Sequence, residues 1–394
     1  MNITLLGSGS YKSSLTYFRL VAIGQQLAHR GWRVSLIVPS ADKYNDFTPQ
    51  KDASLAPVRL LQPWQFVTRS AMLNLIPYLF TSLIALLRTR PDVVYLYKPT
   101  PITIMGLVPR LLHRTPVILD LDDLGSEVMR LQGQSRLQVV LVRWCEQLAL
   151  RYANAVVVTS SYLQAMVKDK YPSKPVLVMS NGVDPVEYPK APVRPLRNQV
   201  YYFGALNRLS LIEDLLRAVP AIVADVPDAQ FLIIGAGSAL EEAKQLVQDL
   251  GVARCVTFTG WVEMHDLPSY TQYADIAVCS QPDTPTVQAA SNLKVFQYMA
   301  MASVPVVSRV GDLEQYVAYG KAGMAVEPES VPALSAALVA ILLDPKRRRE
   351  LAAAARNRAE TVYAWDVLCN QLVHFMDAEV LGTPATGHKH ERRA

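Results

Sequence analysis

The chain has 394 residues, which suits two domains that each bury a full core. Its four cysteines are scattered without a CxxC pair, which argues against a disulfide framework or a zinc site and indicates a reducing compartment. The net charge of +5 is uneven, because residues 1–180 hold 20 Lys and Arg against 10 Asp and Glu, whereas the rest holds 19 against 24. The basic first half suits an anionic lipid surface or substrate as well as plain surface solvation, and no motif indicates nucleic-acid binding.

The first residues predict the opening of a doubly wound parallel sheet. Residues 2–6 form an apolar strand, residues 7–10 a glycine–serine turn and residues 34–39 the next strand, with a helix over 15–30 between them. The apolar face of that helix is formed by Phe18, Val21, Ile23 and Leu27. Because the turn lacks a third glycine and no acidic residue ends the second strand, an NAD enzyme is disfavoured.

The N-terminus lacks the basic region of a signal peptide. Residues 70–87 are therefore the one candidate in the sequence for a membrane segment. The stretch carries no charge and is flanked by arginines, but it is at the lower length limit for a span and is diluted by Asn74, Pro77, Thr81 and Ser82. An ordinary domain helix, a helix docked on a membrane surface and a true span all remain open, and the first is favoured.

Two further strands, residues 93–96 and 117–121, end in polar residues, and ligands of open α/β sheets bind at such strand ends. Lys98 follows the first strand, and the carboxylates Asp120, Asp122 and Asp123 follow the second. Three carboxylates so close together repel one another, so we expect a cation such as Lys98, or the hydroxyls of a sugar, to meet them. The alternative is a helix-capping cluster without a catalytic role.

The prolines between 185 and 195 mark a stiff linker, after which the strand–helix alternation begins again. We predict a first Rossmann-like domain over 1–186, a linker over 187–199, a second Rossmann-like domain over 200–364, a helix over 365–381 that crosses back to the first domain, and a disordered tail over 382–394. The predicted fold class is therefore α/β, with two doubly wound parallel sheets that face a cleft.

Residues 291–308, SNLKVFQYMAMASVPVVS, combine a helix start with a buried strand. Leu293, Phe296 and Met299 recur at helical spacing, whereas Asn292 and Lys294 lie at the helix N-terminus. Backbone N–H groups and the helix dipole favour an anion there, so the stretch suits a bound phosphate.

Short motifs occur in a fixed order at residues 181–184, 202–204, 233–237, 258–261, 267–270, 273–276 and 293–308. Together they resemble the nucleotide-sugar glycosyltransferases of the GT-B fold, especially the large retaining class described as glycosyl transferases group 1. The resemblance covers nearly the whole chain and is strongest over residues 200–365.

The resemblance implies a nucleotide-sugar donor, which is a substrate rather than a cofactor, held by the second domain, and an acceptor on the side of Gly9 and Ser10. The implied donor-binding residues are Arg208, Gly235, Gly237, Trp261, Asn292, Leu293, Lys294 and Gln297. Arg208 and Lys294 would meet the diphosphate without a metal, and we read the Asp-x-Asp pattern at 120–122 as coincidence. Trp261 either stacks on the base or packs in the core.

The chain departs from the family pattern at several positions, one of which is the missing second cation after Arg208, where Leu209, Ser210 and Leu211 stand. Ala289 and Gln297 stand where two glutamates are usual, and Tyr97 replaces the usual histidine beside Lys98. We therefore place the catalytic role, as a hypothesis, on Lys98, Asp120 and Asp122.

The predicted protein is a cytoplasmic glycosyltransferase, peripheral at the inner face of a membrane, that transfers a hexosyl group to a lipid-linked or polysaccharide acceptor. Two alternatives remain: a GT-B-like protein that binds nucleotide or glycan without turnover, and an NDP-sugar epimerase.

Overall fold

The computed structural model describes residues 1–8, 15–39, 55–63, 71–188, 198–207, 210–271 and 276–382. The chain divides into two compact units, one formed by Met1–Ser180 with Trp365–Ala394 and the other by Asn181–Ala364. Each unit contains a parallel sheet with helices on its faces, which confirms the predicted fold class.

The sheet of the first unit has seven described strands in the order β3-β2-β1-β4-β5-β6-β7, all paired in parallel. The central strands are buried on both sides, as parallel sheets covered by helices require. The strands are β1 Asn2–Leu6, β2 Arg33–Ile37, β3 Arg59–Leu61, β4 Val93–Tyr97, β5 Val117–Leu121, β6 Ala155–Val158 and β7 Val176–Val178.

The helices of the first unit before residue 180 are α1 Leu15–His29, α2 Ala71–Thr89, α3 Val108–His113, α4 Gly125–Leu131, α5 Arg136–Tyr152 and α6 Ser161–Lys170. The predicted inner face of α1 is partly wrong. Ile23 and Leu27 are buried, but Phe18 is 48% exposed and its neighbour Arg19 is 1% exposed. The reason is a carboxylate inside the unit, to which Arg19 turns.

Helix α2 covers most of residues 70–87, the candidate membrane segment of the sequence. It buries Tyr78 and Leu86, and it leaves Ile76 and Phe80 exposed. In the part of the chain that the structure describes, no helix is long and apolar enough to cross a membrane.

The second unit repeats the architecture, with six described strands in the order β10-β9-β8-β11-β12-β13. They are β8 Gln199–Phe203, β9 Gln230–Ile234, β10 Val256–Gly260, β11 Ile276–Cys279, β12 Val304–Ser308 and β13 Met324–Val326. Its helices are α7 Ile212–Asp225, α8 Leu240–Asp249, α9 Leu267–Thr271, α10 Pro285–Ala289, α11 Leu293–Ala300, α12 Leu313–Tyr316, α13 Val331–Leu342 and α14 Pro345–Thr361.

Alternate residues of the strands in this unit enter two separate cores. Tyr202 and Ile233 pack with α7 and α13 on one face of the sheet, whereas Phe203 and Ile234 pack with α11 and α14 on the other. This division follows from the two-residue period of a strand.

The chain enters and leaves the second unit at one place. Residues 181–186 precede the predicted boundary but lie in the second unit, because the Val183 N–H donates to the Tyr363 carbonyl at 2.9 Å and Val183 pairs with Ala364. The last helix, α15 Trp365–Met376, belongs to the first unit and packs against α1. Most of the predicted linker and tail, residues 189–197 and 383–394, lies outside the described residues.

Candidate functional site

Glycines end two neighbouring strands of the second unit. Gly204 follows β8 with φ +139°, and Gly235 follows β9 with φ +143°. A Cβ atom on Gly235 would lie 1.9 Å from the Gly204 carbonyl oxygen, and one on Gly237 would lie 2.1 Å from the Leu206 carbonyl oxygen. Only glycine permits both this backbone conformation and this close approach, so the strand ends present bare backbone.

Lys294 lies over these bare strand ends. It is the second residue of α11, and its Nζ lies 3.1 Å from the position that a Cβ on Gly204 would occupy. The ammonium donates to the Tyr202 hydroxyl at 3.2 Å and sits 4.6 Å from the centre of the Tyr202 ring. Within the described ranges it forms no ion pair with a carboxylate, so its charge is available to an anion.

The N-terminus of α11 adds a second feature that favours an anion. Asn292 occupies the N-cap position with extended backbone, but its side chain makes no capping hydrogen bond. Asn292, Leu293 and Lys294 are all half-buried. The first N–H groups of the helix therefore lack a side-chain cap, which is the condition under which a helix end binds an anion.

Trp261 and Gln297 differ in how they could meet a ligand. The Trp261 ring is 69% exposed after β10, and its N–H donates to Glu263 at 3.0 Å, so the alternative of core packing is wrong. Gln297 is only 5% exposed, and its amide donates to the Tyr188 hydroxyl at 3.0 Å. Contact between Gln297 and a ribose would require that this hydrogen bond be exchanged.

Three other predicted site residues cannot be placed. Arg208, Gly9 and Ser10 lie outside the described residues, so their roles stay predictions. Ala289 is fully buried at the end of α10 and offers no polar side-chain atom.

In the first unit, Lys98 lies between Asp122 and Asp123, the two carboxylates that follow β5. Its Nζ is 2.9 Å from Asp122 Oδ1 and 2.7 Å from Asp123 Oδ2. Burial favours the neutral amine, but the charges of Asp122 and Asp123 outweigh it and raise the pKa of Lys98 above its ordinary value. Lys98 therefore stays protonated at neutral pH and can donate hydrogen bonds, but it cannot act as a base.

Asp123 is a buried carboxyl group whose pKa is raised by its surroundings. Burial and the neighbouring charge of Asp122 raise the pKa of Asp123 to about 6, although Lys98 opposes the shift. Tyr97 donates its hydroxyl to Asp122, and burial, followed by that carboxylate, raises the pKa of Tyr97 well above its ordinary value. Tyr97 is thus a neutral donor that orients Asp122.

Asp120 has a different environment and is not open to a ligand. It is fully buried and pairs with Arg19, whose Nε lies 2.8 Å from Asp120 Oδ2. The Tyr95 hydroxyl donates to the same oxygen at 2.6 Å. Arg19 also donates to the carbonyls of Met179 and Ser180, at 3.1 and 3.0 Å. The structure therefore corrects the prediction that Asp120 contacts substrate, because its buried carboxylate holds Arg19, which in turn bonds the carbonyls that follow β7.

A cavity of about 180 Å³ lies beside Lys98. Its polar lining includes Lys98, Thr100, Asp122, Asp123 and Glu146, and its apolar lining includes Leu121, Val128, Met129 and Val142. This volume is below that of a typical ligand pocket, so the cavity suits a few hydroxyl groups rather than a whole sugar chain.

Sequence reasoning missed two residues of these sites. Arg19 could have been noticed as the one charged residue between Leu15 and Leu27, on a helix whose other residues are mostly apolar. In the sequence, Tyr202 stands out only as part of the family motif at 202–204. Its contact with Lys294 joins two residues that are 92 positions apart. No local sequence pattern predicts such a contact.

Two family models match the chain in succession. Residues 19–182 match the model described as "Glycosyl transferase 4-like domain", and residues 197–344 match the model described as "Glycosyl transferases group 1". Together with the two parallel-sheet units, these matches show that the chain belongs to the GT-B glycosyltransferases.

Curated relatives match over part of their length. A "GDP-mannose-dependent alpha-(1-6)-phosphatidylinositol monomannoside mannosyltransferase" of Mycobacterium tuberculosis (strain ATCC 25618 / H37Rv) is 31% identical over 166 residues, which are 42% of this chain and 43% of the relative. A "D-inositol 3-phosphate glycosyltransferase" of Corynebacterium urealyticum is 28% identical over 252 residues, which are 59% and 58% of the two chains. The match thus spans less than two thirds of the length of each of these relatives.

Solved structures match over nearly the whole chain. Sucrose-phosphate synthase from Thermosynechococcus elongatus has a TM-score of 0.76 at 20% identity, covering 97% of this chain and 100% of that one. Anabaena HepE in complex with UDP and glucose has a TM-score of 0.69 at 17% identity, covering 96% and 100%. At these identities the likeness concerns the fold alone.

Proposed function

We propose that this chain transfers a hexosyl group from a nucleotide-sugar donor to a lipid-linked or polysaccharide acceptor, without a metal ion. The observation that carries the proposal is Lys294, a half-buried ammonium without a carboxylate partner in the described part of the chain, held over the bare strand ends at Gly204 and Gly235. A cation beside uncovered backbone suits a diphosphate.

The chemistry of transfer explains what such a site contributes. As the glycosidic bond to the donor breaks, negative charge develops on the leaving diphosphate, and positive charge develops on the anomeric carbon. The ammonium of Lys294 and the N–H groups at the start of α11 would stabilise the diphosphate, because they are held in place before the reaction. Trp261 would stack on the base, and the exposure of its ring supports this role.

The first unit supports the acceptor half of the proposal. Asp122 and Asp123 can accept hydrogen bonds from acceptor hydroxyls, and Lys98 keeps both carboxylates oriented. Both aspartates of the Asp-x-Asp pattern are already paired with a cation of their own unit, Asp120 with Arg19 and Asp122 with Lys98. That pairing supports charge stabilisation by Lys294 rather than by a metal held at Asp120 and Asp122.

The relatives support the substrate classes. One relative is a GDP-mannose-dependent phosphatidylinositol monomannoside mannosyltransferase, whose name includes a nucleotide-sugar donor and a lipid, and another is a D-inositol 3-phosphate glycosyltransferase. A lipid-linked acceptor would require the enzyme to work at a membrane surface, and we propose that it acts at the cytoplasmic face.

A second candidate is a GT-B protein that binds nucleotide or glycan without turnover. It is favoured by Gln297, whose amide is buried against Tyr188, and by Ala289, which has no polar side chain. These positions would then contribute nothing to the reacting sugar.

Nucleotide binding to Lys294 tests the donor site. UDP, GDP, ADP and TDP are screened for a rise in the melting temperature of the full chain, because a ligand that binds only the native state stabilises it. Lys294→Ala should weaken binding of the preferred nucleotide by about 10- to 100-fold, the cost of one charge-assisted contact. Lys321→Ala, an exposed lysine of the same unit, is the matched control and should bind normally. Equal binding by both variants would refute the donor site.

Turnover separates the two candidate functions. The NDP-sugars of the preferred base are incubated with the chain and with lipid-linked or glycan acceptors, and release of the nucleoside diphosphate is measured. Release that depends on acceptor supports the transferase. Binding without release supports the second candidate.

A further inference from the structure

Helix α5 carries a stripe of exposed apolar side chains. Leu137, Val140, Leu141 and Trp144 are 72%, 62%, 39% and 54% exposed. Their spacing of three and four residues puts them on one face of the helix. Leu131, at the end of the adjacent α4, is also exposed. These five residues are called the α5 stripe below.

The α5 stripe is not needed to hold the helix in the unit. The opposite face buries Val142, Cys145 and Ala149. The helix start is defined separately, because the Ser135 side chain caps the Gln138 N–H and the Gln138 side chain returns to the Ser135 N–H. Helix α5 is therefore anchored on one side and presents an apolar surface on the other.

The exposed charges on α5 itself, beside the stripe, are positive, whereas on the adjacent α4 the acidic Glu127 pairs with Arg130 and also interacts with Arg143. Arg136 and Arg143 are both exposed, and because they are seven residues apart they share one flank of the stripe. Glu146, the one acidic residue of α5, turns away and accepts from the Ser126 N–H at 2.8 Å and the Ser126 hydroxyl at 2.7 Å. The exposed charge of α5 is thus carried by arginines.

We propose that the α5 stripe docks on an anionic lipid surface, with α5 lying in the plane of the headgroups. An interfacial helix combines an apolar face with flanking basic residues in this way. Leucine and valine would enter the acyl boundary, tryptophan is favoured at headgroup depth, and the arginines would reach the lipid phosphates. The charge complementarity singles out an anionic bilayer as the occupant. The proposal is independent of the chemistry at Lys294.

Vesicle co-sedimentation tests the proposal. The full chain is mixed with vesicles of phosphatidylglycerol and phosphatidylcholine in equal parts, and with vesicles of phosphatidylcholine alone. We expect binding to the anionic vesicles, a fall in binding as salt rises, and little binding to the neutral ones. The variant Leu137→Glu/Leu141→Glu should partition about tenfold less or lower, since two apolar side chains lose their burial.

Matched variants distinguish specific docking from a folding defect and from nonspecific hydrophobic binding. Val186→Glu/Leu343→Glu changes two exposed apolar residues of the second unit and should bind like the unaltered chain. Arg136→Gln/Arg143→Gln should reduce the dependence on phosphatidylglycerol while apolar contact remains. Turnover of a water-soluble acceptor should be unchanged in all three variants, which distinguishes a docking defect from a failed reaction.

Three results would overturn the proposal. The first is that the unaltered chain stays in the supernatant with both kinds of vesicle. The second is that Leu137→Glu/Leu141→Glu binds as tightly as the control variant. The third is a dimer in light scattering that the same substitutions dissolve, which would assign the α5 stripe to a second copy of the chain.

Discussion

At the scale of single residues, the first unit contains two groups of paired charges, one fully buried with a structural role and the other beside a cavity. Arg19 and Asp120 are both at most 1% exposed and fix the end of β7, whereas Lys98 is 27% exposed beside a cavity. Lys98 also has a φ of +50°, a backbone conformation that L residues rarely adopt and that surrounding contacts must maintain. Among the predicted catalytic residues, Lys98 and Asp122 therefore border the cavity, whereas Asp120 does not.

Substitution of Lys98 should remove turnover while donor binding persists. In Lys98→Ala the carboxylates of Asp122 and Asp123 lose their shared cation, so they would no longer hold an acceptor hydroxyl in position. We expect kcat to fall about 100-fold, the typical effect of removing one preorganised group. The melting-temperature shift caused by the nucleoside diphosphate should not change, because Lys294 belongs to the other unit.

The control for this test is Lys168→Ala, which removes an exposed lysine from α6 of the same unit. A Lys98→Ala variant with unchanged kcat would exclude the catalytic role. Asp120→Ala cannot replace this test. It would leave the buried charge of Arg19 unpaired, a change that costs about 3–5 kcal/mol of stability and confounds activity with folding.

At the scale of elements, the helix that carries Lys294, α11, ends in a defined backbone motif. The helix ends with the Ala302 N–H donating to the Met299 carbonyl at 2.9 Å and the Ser303 N–H donating to the Tyr298 carbonyl at 3.0 Å. These two bonds form a Schellman motif, whose left-handed residue is usually glycine. Here the position is held by Ala302, which is exposed with φ +57°.

Ala302→Gly should stabilise the protein. The substitution removes the clash between the Cβ atom and the backbone in the left-handed conformation, and this gain exceeds the extra chain entropy that glycine loses on folding. We expect the free energy of unfolding to rise by about 1 kcal/mol, measured by urea denaturation with an unchanged m-value. The control is Ala290→Gly. Ala290 is also exposed but has φ −86°, so glycine should lower stability there. A decrease at both positions would contradict the assignment.

At the scale of the whole molecule, the two units differ in how the chain builds them. The second unit is continuous, and its two ends meet where Val183 bonds to Tyr363. The first unit is discontinuous, since its core includes Leu368, Cys369 and Leu372 of α15. Removing residues after 364 would therefore open the core of the first unit.

Fragments should reflect this difference. Residues 181–364 expressed alone should unfold cooperatively and keep the nucleotide-induced rise in melting temperature, because both cores and Lys294 are retained. Residues 1–180 alone should aggregate, since the surface that α15 covers on α1 is exposed.

Joining residues 1–180 to 365–394 through a short glycine–serine linker should restore a soluble, cooperatively folding unit. This is feasible because Arg19 lies close to both junctions: it bonds the Ser180 carbonyl and lies 6.0 Å from the centre of the Trp365 ring. A stable, monomeric 1–180 fragment would contradict the role given to α15.

The sequence by itself determined the fold class, the two sheets, most element positions and the helix N-terminus that carries Asn292 and Lys294, because these depend on local periodicity, turn residues and caps. It missed β3 and the first turns of α5, although Ser135 and Gln138 form a capping box there. Only the tertiary structure decided which charges are buried and which are available. Asp120 and Asp122 are two residues apart, yet one meets Arg19 and the other Lys98, and long-range packing alone sets which cation reaches each carboxylate. The same holds for α5, where only packing against the sheet shows which apolar residues remain uncovered.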